Sequence, residues 1–201
     1  MNIERANYRF NHIRINGVNV SQNINVVGAL EQLKNYINEQ DIIISDIIEI
    51  GTLHGGFTSI LAELFQTTIH TFDIEDKRLP KNVFEKYSNV KYYLEDAFGS
   101  DIIKHLITNA KQNCLVFCDG GDKIKEFNTF AEFLKPNDFI FCHDYIKTYK
   151  IFKEEYKDKI WNWQESHYEA IKPAVEQFKL ENILAEHFEP AVWASYKKPN
   201  E

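Results

Sequence analysis

Residues 47–59 read I-I-E-I-G-T-L-H-G-G-F-T-S, an apolar run carrying Glu49, then Gly51, then the pair Gly55-Gly56. A strand that runs into a glycine-rich turn and opens a helix is suited to holding part of a nucleotide, because bare backbone and free N–H groups face the ligand. A loop that cradles a pyrophosphate needs G-x-G-x-x-G, and its second glycine would fall on Leu53. What remains is E-x-G-x-x-x-G. Gly51 allows a tight turn with close approach of a ligand to the backbone. Gly55 and Gly56 open a helix whose N-terminus can receive a carboxylate.

Outward from this stretch, the middle of the chain alternates two periodicities. Short apolar, β-branched-rich runs fall at Asp46–Ile50, Thr68–Asp73, Val90–Leu94, Cys114–Cys118 and Phe139–His143. Between them, apolar residues three and four apart mark helices, as in Ser59–Phe65 and Phe127–Leu134. Strands alternating with helices imply βαβ units, hence an α/β, Rossmann-like, doubly wound and mostly parallel sheet with helices on both faces. Asn16-Gly17 between alternating stretches predicts a small N-terminal hairpin within 8–22, and Asn25–Glu39 an amphipathic helix. The region 145–180, aromatic and charged, is expected to form a helical cap over the site. Two last runs, Asn182–His187 and Ala191–Tyr196, flank Glu189-Pro190 and predict an antiparallel C-terminal edge. One domain is expected over 1–201: hairpin and helix in 1–40, a cofactor-binding core in 41–144, the cap, and C-terminal strands in 181–201.

Composition narrows the function. The 201 residues suffice for one substantial core. Thirty acidic against 23 basic side chains give a formal charge of −7, the wrong sign for a general nucleic-acid binder. No stretch approaches the roughly 20 apolar residues of a membrane span, and the N-terminus has no signal-peptide core. Cys114, Cys118 and Cys142 lie in or beside apolar runs without metal spacing. They read as buried reduced thiols of a cytoplasmic protein. These totals leave a small molecule as the expected partner, with no nucleic acid and no membrane, and a homo-oligomer is left open.

Ligands of open α/β sheets sit beyond the carboxyl ends of the strands, where the strand order reverses. Four of the predicted strands carry an acid there: Glu49, Asp73, Asp96 and Asp119. Asp73 stands where an acceptor for two ribose hydroxyls would fall, and Asp96 where an adenine edge would lie. Glu49-Ile50-Gly51-Thr52-Leu53-His54-Gly55, Asp73 and Glu95-Asp96-Ala97-Phe98 together resemble the class I S-adenosylmethionine-dependent methyltransferases over about residues 25–145. That resemblance implies S-adenosylmethionine as cofactor, with the glycine loop on its amino-acid end, Asp73 on ribose and Asp96-Ala97 beside adenine. Glu49, Gly51, Thr52, Gly55, Asp73, Asp96, Ala97 and Asp119 make up the expected cofactor set.

The acceptor half lies after the fourth and fifth strands, which would be neighbours, so Asp119, His143 and Asp144 should emerge side by side. Carboxylates with an imidazole suit a divalent cation, which would lower the pKa of a substrate hydroxyl. This half resembles the metal-dependent sugar and natural-product O-methyltransferases, a group that includes cephalosporin-hydroxylase-like proteins. By that resemblance Asp119 and Asp144 are metal ligands for Mg2+ or another divalent ion. His143 stands where that group has Glu, and Asp122 where it has a His that can act as base. His143 is therefore a metal ligand or the catalytic base, with Asp122 as the other base candidate. The alternative has Asp119 and Asp144 capping helices. His54 is either a cofactor contact or a solvent-facing loop residue, and His70 reads as structural. Tyr145, Trp161, Trp163, His167 and Tyr168 either line an acceptor pocket or pack the cap.

The function expected from all this is O-methylation of a hydroxyl on a small sugar-like or secondary-metabolite acceptor. The alternatives are a non-catalytic cofactor-binding homologue and a nucleotide-binding oxidoreductase. Leu53 and the lack of Y-x-x-x-K in the usual register after the fourth strand count against the oxidoreductase.

Overall fold

The computed structural model describes residues 1–7, 12–159 and 162–200. In chain order the elements are β1 (Ile3–Asn7), β2 (His12–Ile15), β3 (Val18–Asn23), α1 (Asn25–Glu39), β4 (Ile44–Ile50), α2 (Gly56–Leu64), β5 (Thr68–Asp73) and β6 (Val90–Leu94). There follow α3 (Ile102–Asn109), β7 (Asn113–Cys118), α4 (Lys123–Phe130), β8 (Phe139–His143), α5 (Tyr149–Ile151), α6 (Tyr168–Gln177), β9 (Glu181–Asn182), α7 (Ala185–Phe188) and β10 (Trp193–Lys197).

The main sheet has seven strands in the order β6-β5-β4-β7-β8-β10-β9. It is parallel from β6 through β8, and β10 runs antiparallel to both β8 and β9. The order reverses between β4 and β7, so the crevice that favours ligands opens at the end of the Ile47–Ile50 run. The central strands are buried on both sides, which is why they read as continuous apolar runs. Their side chains alternate. Ile47, Leu115, Phe117, Phe139 and Phe141 face the layer built from α1, α2 and the N-terminal strands. Ile48, Ile50, Val116, Cys118, Ile140 and Cys142 face α3, α4 and α6. All three cysteines are buried and free. No helix among the described residues is long and apolar enough to cross a membrane.

Local sequence explains most bounds. Val26, Leu30, Leu33 and Ile37 recur at helical spacing and bury one stripe of α1. The Asn16-Gly17 turn joins β2 to β3, and β1 adds a third strand to give a small antiparallel sheet. Residues 8–11 of the expected hairpin lie outside the described residues.

Two stretches depart from expectation. Asn182–His187 is not one strand: only Glu181–Asn182 pairs with β10, and Leu184 takes a left-handed φ of 49° before α7. Pro190 then starts a short 3-10 turn over Glu189–Ala191, so the last strand begins at Trp193. Within 145–180, α6 buries Ile171, Ala174 and Val175 in the sheet's second face layer, and the stretch before it borders the rim.

Candidate active site

The loop after β4 is pinned from both sides. Gly51 and Thr52 donate their N–H groups to the Phe72 carbonyl at 2.8 and 3.1 Å, and Asp119 N–H donates to the Ile50 carbonyl at 3.0 Å. Gly51 adopts φ +97°, and a Cβ there would stand 2.2 Å from the Asp119 carbonyl oxygen. Only glycine satisfies both conditions. Gly55, also left-handed, abuts the Val83 and Phe84 side chains, and Gly56 abuts the β3 backbone at Asn19 and Val20.

A two-lobed groove opens at this point. The first lobe, about 300 Å³, is walled by Ile50, Phe72, Ala97 and Phe98, with Asp73 and Asp96 on its rim. The second, about 410 Å³, is lined by Gln22, Thr52, Asp119, Lys123, His143 and Asp144. Gly51, Asp73, Ile74, Gly120 and Gly121 border both, so the lobes are continuous along the strand ends. Asp73 holds the loop in place by accepting from Leu53 N–H at 2.8 Å and Glu75 N–H at 3.1 Å. Asp96 accepts from Phe98 N–H at 2.9 Å.

The second lobe contains a buried hydrogen-bonded chain. His143, 4% exposed, places Nδ1 2.6 Å from Asp119 Oδ1. A carboxylate only accepts, so Nδ1 carries the proton. Asp119 Oδ2 accepts from Gln22 Nε2 at 2.6 Å, and Gln22 Oε1 accepts from Trp193 Nε1 at 3.0 Å. The His143 ring packs on Trp193 with centroids 4.5 Å apart. Burial opposes charge on His143, but the Asp119 and Asp144 carboxylates outweigh it and raise the imidazole above its ordinary value. His143 Nε2 and Asp144 Oδ1 are buried with no hydrogen-bond partner among the described residues.

Asp144 sits at φ +52°, an uncommon conformation that Ser166 N–H helps hold through the Asp144 carbonyl at 3.0 Å. Its Oδ2 pairs with Lys123 Nζ at 3.2 Å. Lys123 also bonds Glu165 Oε2 at 2.7 Å and the Gly120 carbonyl at 3.1 Å. Burial disfavours the Lys123 charge, yet Asp144, Asp119 and Glu165 hold its pKa above that of an ordinary lysine.

No protein-family model and no curated protein matches the chain by sequence. Its fold does match solved structures. The apo structure of CmcI-N160 aligns with a TM-score of 0.62 at 9% identity, over 94% of this chain and 76% of its own. An S-adenosylmethionine-dependent methyltransferase from Clostridium acetobutylicum ATCC 824 gives 0.53 at 12% identity, over 88% and 92%. The plantazolicin methyltransferase BamL, in complex with a triazolic desmethylPZN analogue and SAH, gives 0.52 at 13%, over 89% and 85%. The chain has the S-adenosylmethionine-dependent methyltransferase fold.

The expected cofactor residues divide within this methyltransferase fold. Gly51, Asp73, Asp96 and Ala97 border the first lobe, while Thr52 and Asp119 line the second. Glu49 does not reach the groove: it is fully buried and accepts from the Thr58 hydroxyl at 2.6 Å, tying β4 to α2. Burial pushes its carboxyl up to about 8, with the Thr58 hydroxyl opposing. Gly55 likewise serves packing. The bare Gly51 turn, the apolar slot and the acids at its rim fit an adenosine carried on a charged tail. Asp122, expected as a base, caps α4 by accepting from Lys125 N–H at 3.0 Å and borders the first lobe.

Asp119, His143 and Asp144 do converge, each with a donor atom within 4.8 Å of the others. Asp119 and His143 Nδ1 are spent on one another, while His143 Nε2 and Asp144 Oδ1 keep no hydrogen-bond partner among the described residues. Asp119 uses both oxygens on His143 and Gln22, and Asp144 shares its charge with Lys123. The Nδ1–Oδ1 separation of 2.6 Å is a hydrogen bond, shorter than the roughly 3 Å between neighbouring ligands of one octahedral ion. In this arrangement Asp119 Oδ1 and His143 Nδ1 cannot both ligate one divalent cation.

His54 bonds the Lys77 carbonyl at 3.1 Å, and buried His70 bridges Asp46 and Tyr93 at 3.1 and 3.0 Å. Trp163, 55% exposed, borders the second lobe. Tyr145 is buried in the core, His167 borders a separate hollow, and Trp161 lies outside the described residues. Gln22, Lys123, Glu126, Glu165 and Trp193 escaped the sequence reading. Glu126 was the most accessible of these, because an acid four residues after the N-cap can turn back on the preceding loop. It accepts from Gly120 and Asp122 N–H at 3.1 and 3.3 Å, and burial raises its carboxyl to about 7.

Proposed function

We propose that this protein is an S-adenosylmethionine-dependent O-methyltransferase acting on a hydroxyl of a small sugar-like or secondary-metabolite acceptor. One observation carries the reading: an Asp119–His143 pair with a buried, unpartnered Nε2 lines a lobe continuous with an apolar slot of about 300 Å³. S-adenosylmethionine, when bound, supplies a sulfonium-activated methyl group. Asp73 and Asp96 would hold its ribose and adenine ends, and Gly51 and Thr52 its amino-acid end.

The tasks left to the chain are placement and proton removal. His143 Nε2 accepts the acceptor's hydroxyl proton. Asp119 at Nδ1 sets the tautomer that leaves Nε2 free, and it stabilises the imidazolium that forms. Asp144, paired with Lys123, borders the same lobe and adds negative charge beside the imidazolium. Trp163 offers an exposed aromatic face at the lobe's edge, suited to a sugar ring or a planar acceptor.

Calorimetric titration with S-adenosylhomocysteine tests the cofactor half. Binding that Asp73→Ala abolishes is the expected result, and a folded wild-type chain that shows no binding at high micromolar ligand sinks the proposal. A panel of hydroxyl acceptors with radiolabelled cofactor then tests the chemistry. His143→Gln should retain S-adenosylhomocysteine binding and lose transfer.

A further inference from the structure

We propose that Lys123 supplies, from within the chain, the positive charge that a divalent cation would bring to the Asp119–His143–Asp144 cluster, so the acceptor end operates with no bound metal. Lys123 is the first residue of α4 and its side chain is only 11% exposed. Its ammonium lies among three oxygens: Asp144 Oδ2 at 3.2 Å, Glu165 Oε2 at 2.7 Å and the Gly120 carbonyl at 3.1 Å. Two carboxylates and a carbonyl converging on one ammonium form an oxygen cage of the kind that hard cations occupy, with Glu165 on its solvent side. Here a side chain of the same protein fills it.

The neighbouring geometry agrees. An ion bound between Asp119 and Asp144 would sit beside the ammonium and be repelled by it. It would also have to break the hydrogen bonds that commit Asp119 to His143 and Gln22. With Lys123 in place, His143 Nε2 and Asp144 Oδ1 are left buried without a hydrogen-bond partner among the described residues. Lys123 is thus a positioning residue. Its ammonium neutralises Asp144 and ties the loop after β7 to Glu165 across the lobe.

The inference concerns the same lobe as the proposed reaction, but its test involves no turnover, so either can fail without the other. The full chain is titrated with Mn2+ alone, and free ion is followed by electron paramagnetic resonance. The wild type should take up no stoichiometric Mn2+ up to about 1 mM. Lys123→Met vacates the cage and should bind one ion at least tenfold more tightly than wild type, and adding Asp144→Asn should abolish that gain. Lys123→Arg, which keeps the charge, should stay metal-free. Wild-type uptake of one Mn2+ that Asp144→Asn removes would overturn the proposal. So would a folded Lys123→Met chain that takes up none. Circular dichroism establishes folding, and should Lys123→Met fail to fold, the wild-type and Asp144→Asn titrations decide alone.

Discussion

In the proposed reaction His143 would serve as the base, its pKa set by two carboxylates that outweigh its burial. Its pKa is raised above 6.5, so the neutral form needed for proton removal grows as pH rises through that elevated value. The rate at saturating cofactor should therefore climb with pH through an inflection above the ordinary histidine range. Asp119→Asn removes the largest opposing charge, leaves burial dominant, and should move the inflection down. An unmoved inflection in the pH–rate profile would contradict the pairing. His143→Gln should cost about 100- to 10,000-fold in turnover. Glu49 gives a stability prediction. Its folded value of about 8 lies above the ordinary 4.5, so between those values the folded chain keeps a proton the unfolded chain has lost. Stability falls as pH rises through that window. Glu49→Gln should remove this dependence. Urea unfolding at about pH 5 and about pH 9 should show the variant gaining a few kcal/mol relative to wild type.

At the scale of elements, the groove depends on loops that touch backbone to backbone. Gly51→Ala would force a methyl against the Asp119 carbonyl and strain a positive φ. It should destabilise the fold by about 2 kcal/mol or more and weaken S-adenosylhomocysteine binding, read by calorimetry alongside thermal unfolding. The N-terminal sheet is part of the site as well. β3 packs its backbone on the start of α2 at Gly56 and sends Gln22 to Asp119. Gln22→Ala should leave cofactor affinity intact while shifting the pH–rate inflection, because it frees Asp119 without touching the first lobe. A fall in S-adenosylhomocysteine affinity with an unchanged pH profile would show that Gln22 serves the cofactor instead.

Trp193 joins these parts into one molecule. It is fully buried, stacks on Phe57, meets Phe117 edge-on, packs on His143 and donates to Gln22. Trp193→Ala should cost about 3–5 kcal/mol in urea unfolding. Trp193→Phe keeps most of the packing while removing the indole donor and part of the ring, so it should cost less. Period-two burial on both faces, helical spacing and a glycine turn are local signals, so β5, β6, β8 and α1 are legible to the residue and the acids at the strand ends are legible as a row. Local signals misled where two readings share a pattern. Asp122 fits a base or a helix cap, and Asn182–His187 fits a strand until the left-handed turn at Leu184 is seen. By itself the sequence determined the sheet, its crevice and the candidate row Asp73, Asp96, Asp119, His143 and Asp144, because each rests on a short repeat and its neighbours. Only the tertiary structure decided that Gln22 would meet Asp119, that Trp193 would back His143, and that Lys123 would stand among Asp144, Glu165 and Gly120. Those contacts join residues far apart along the chain or facing each other across a lobe, and no local periodicity records them.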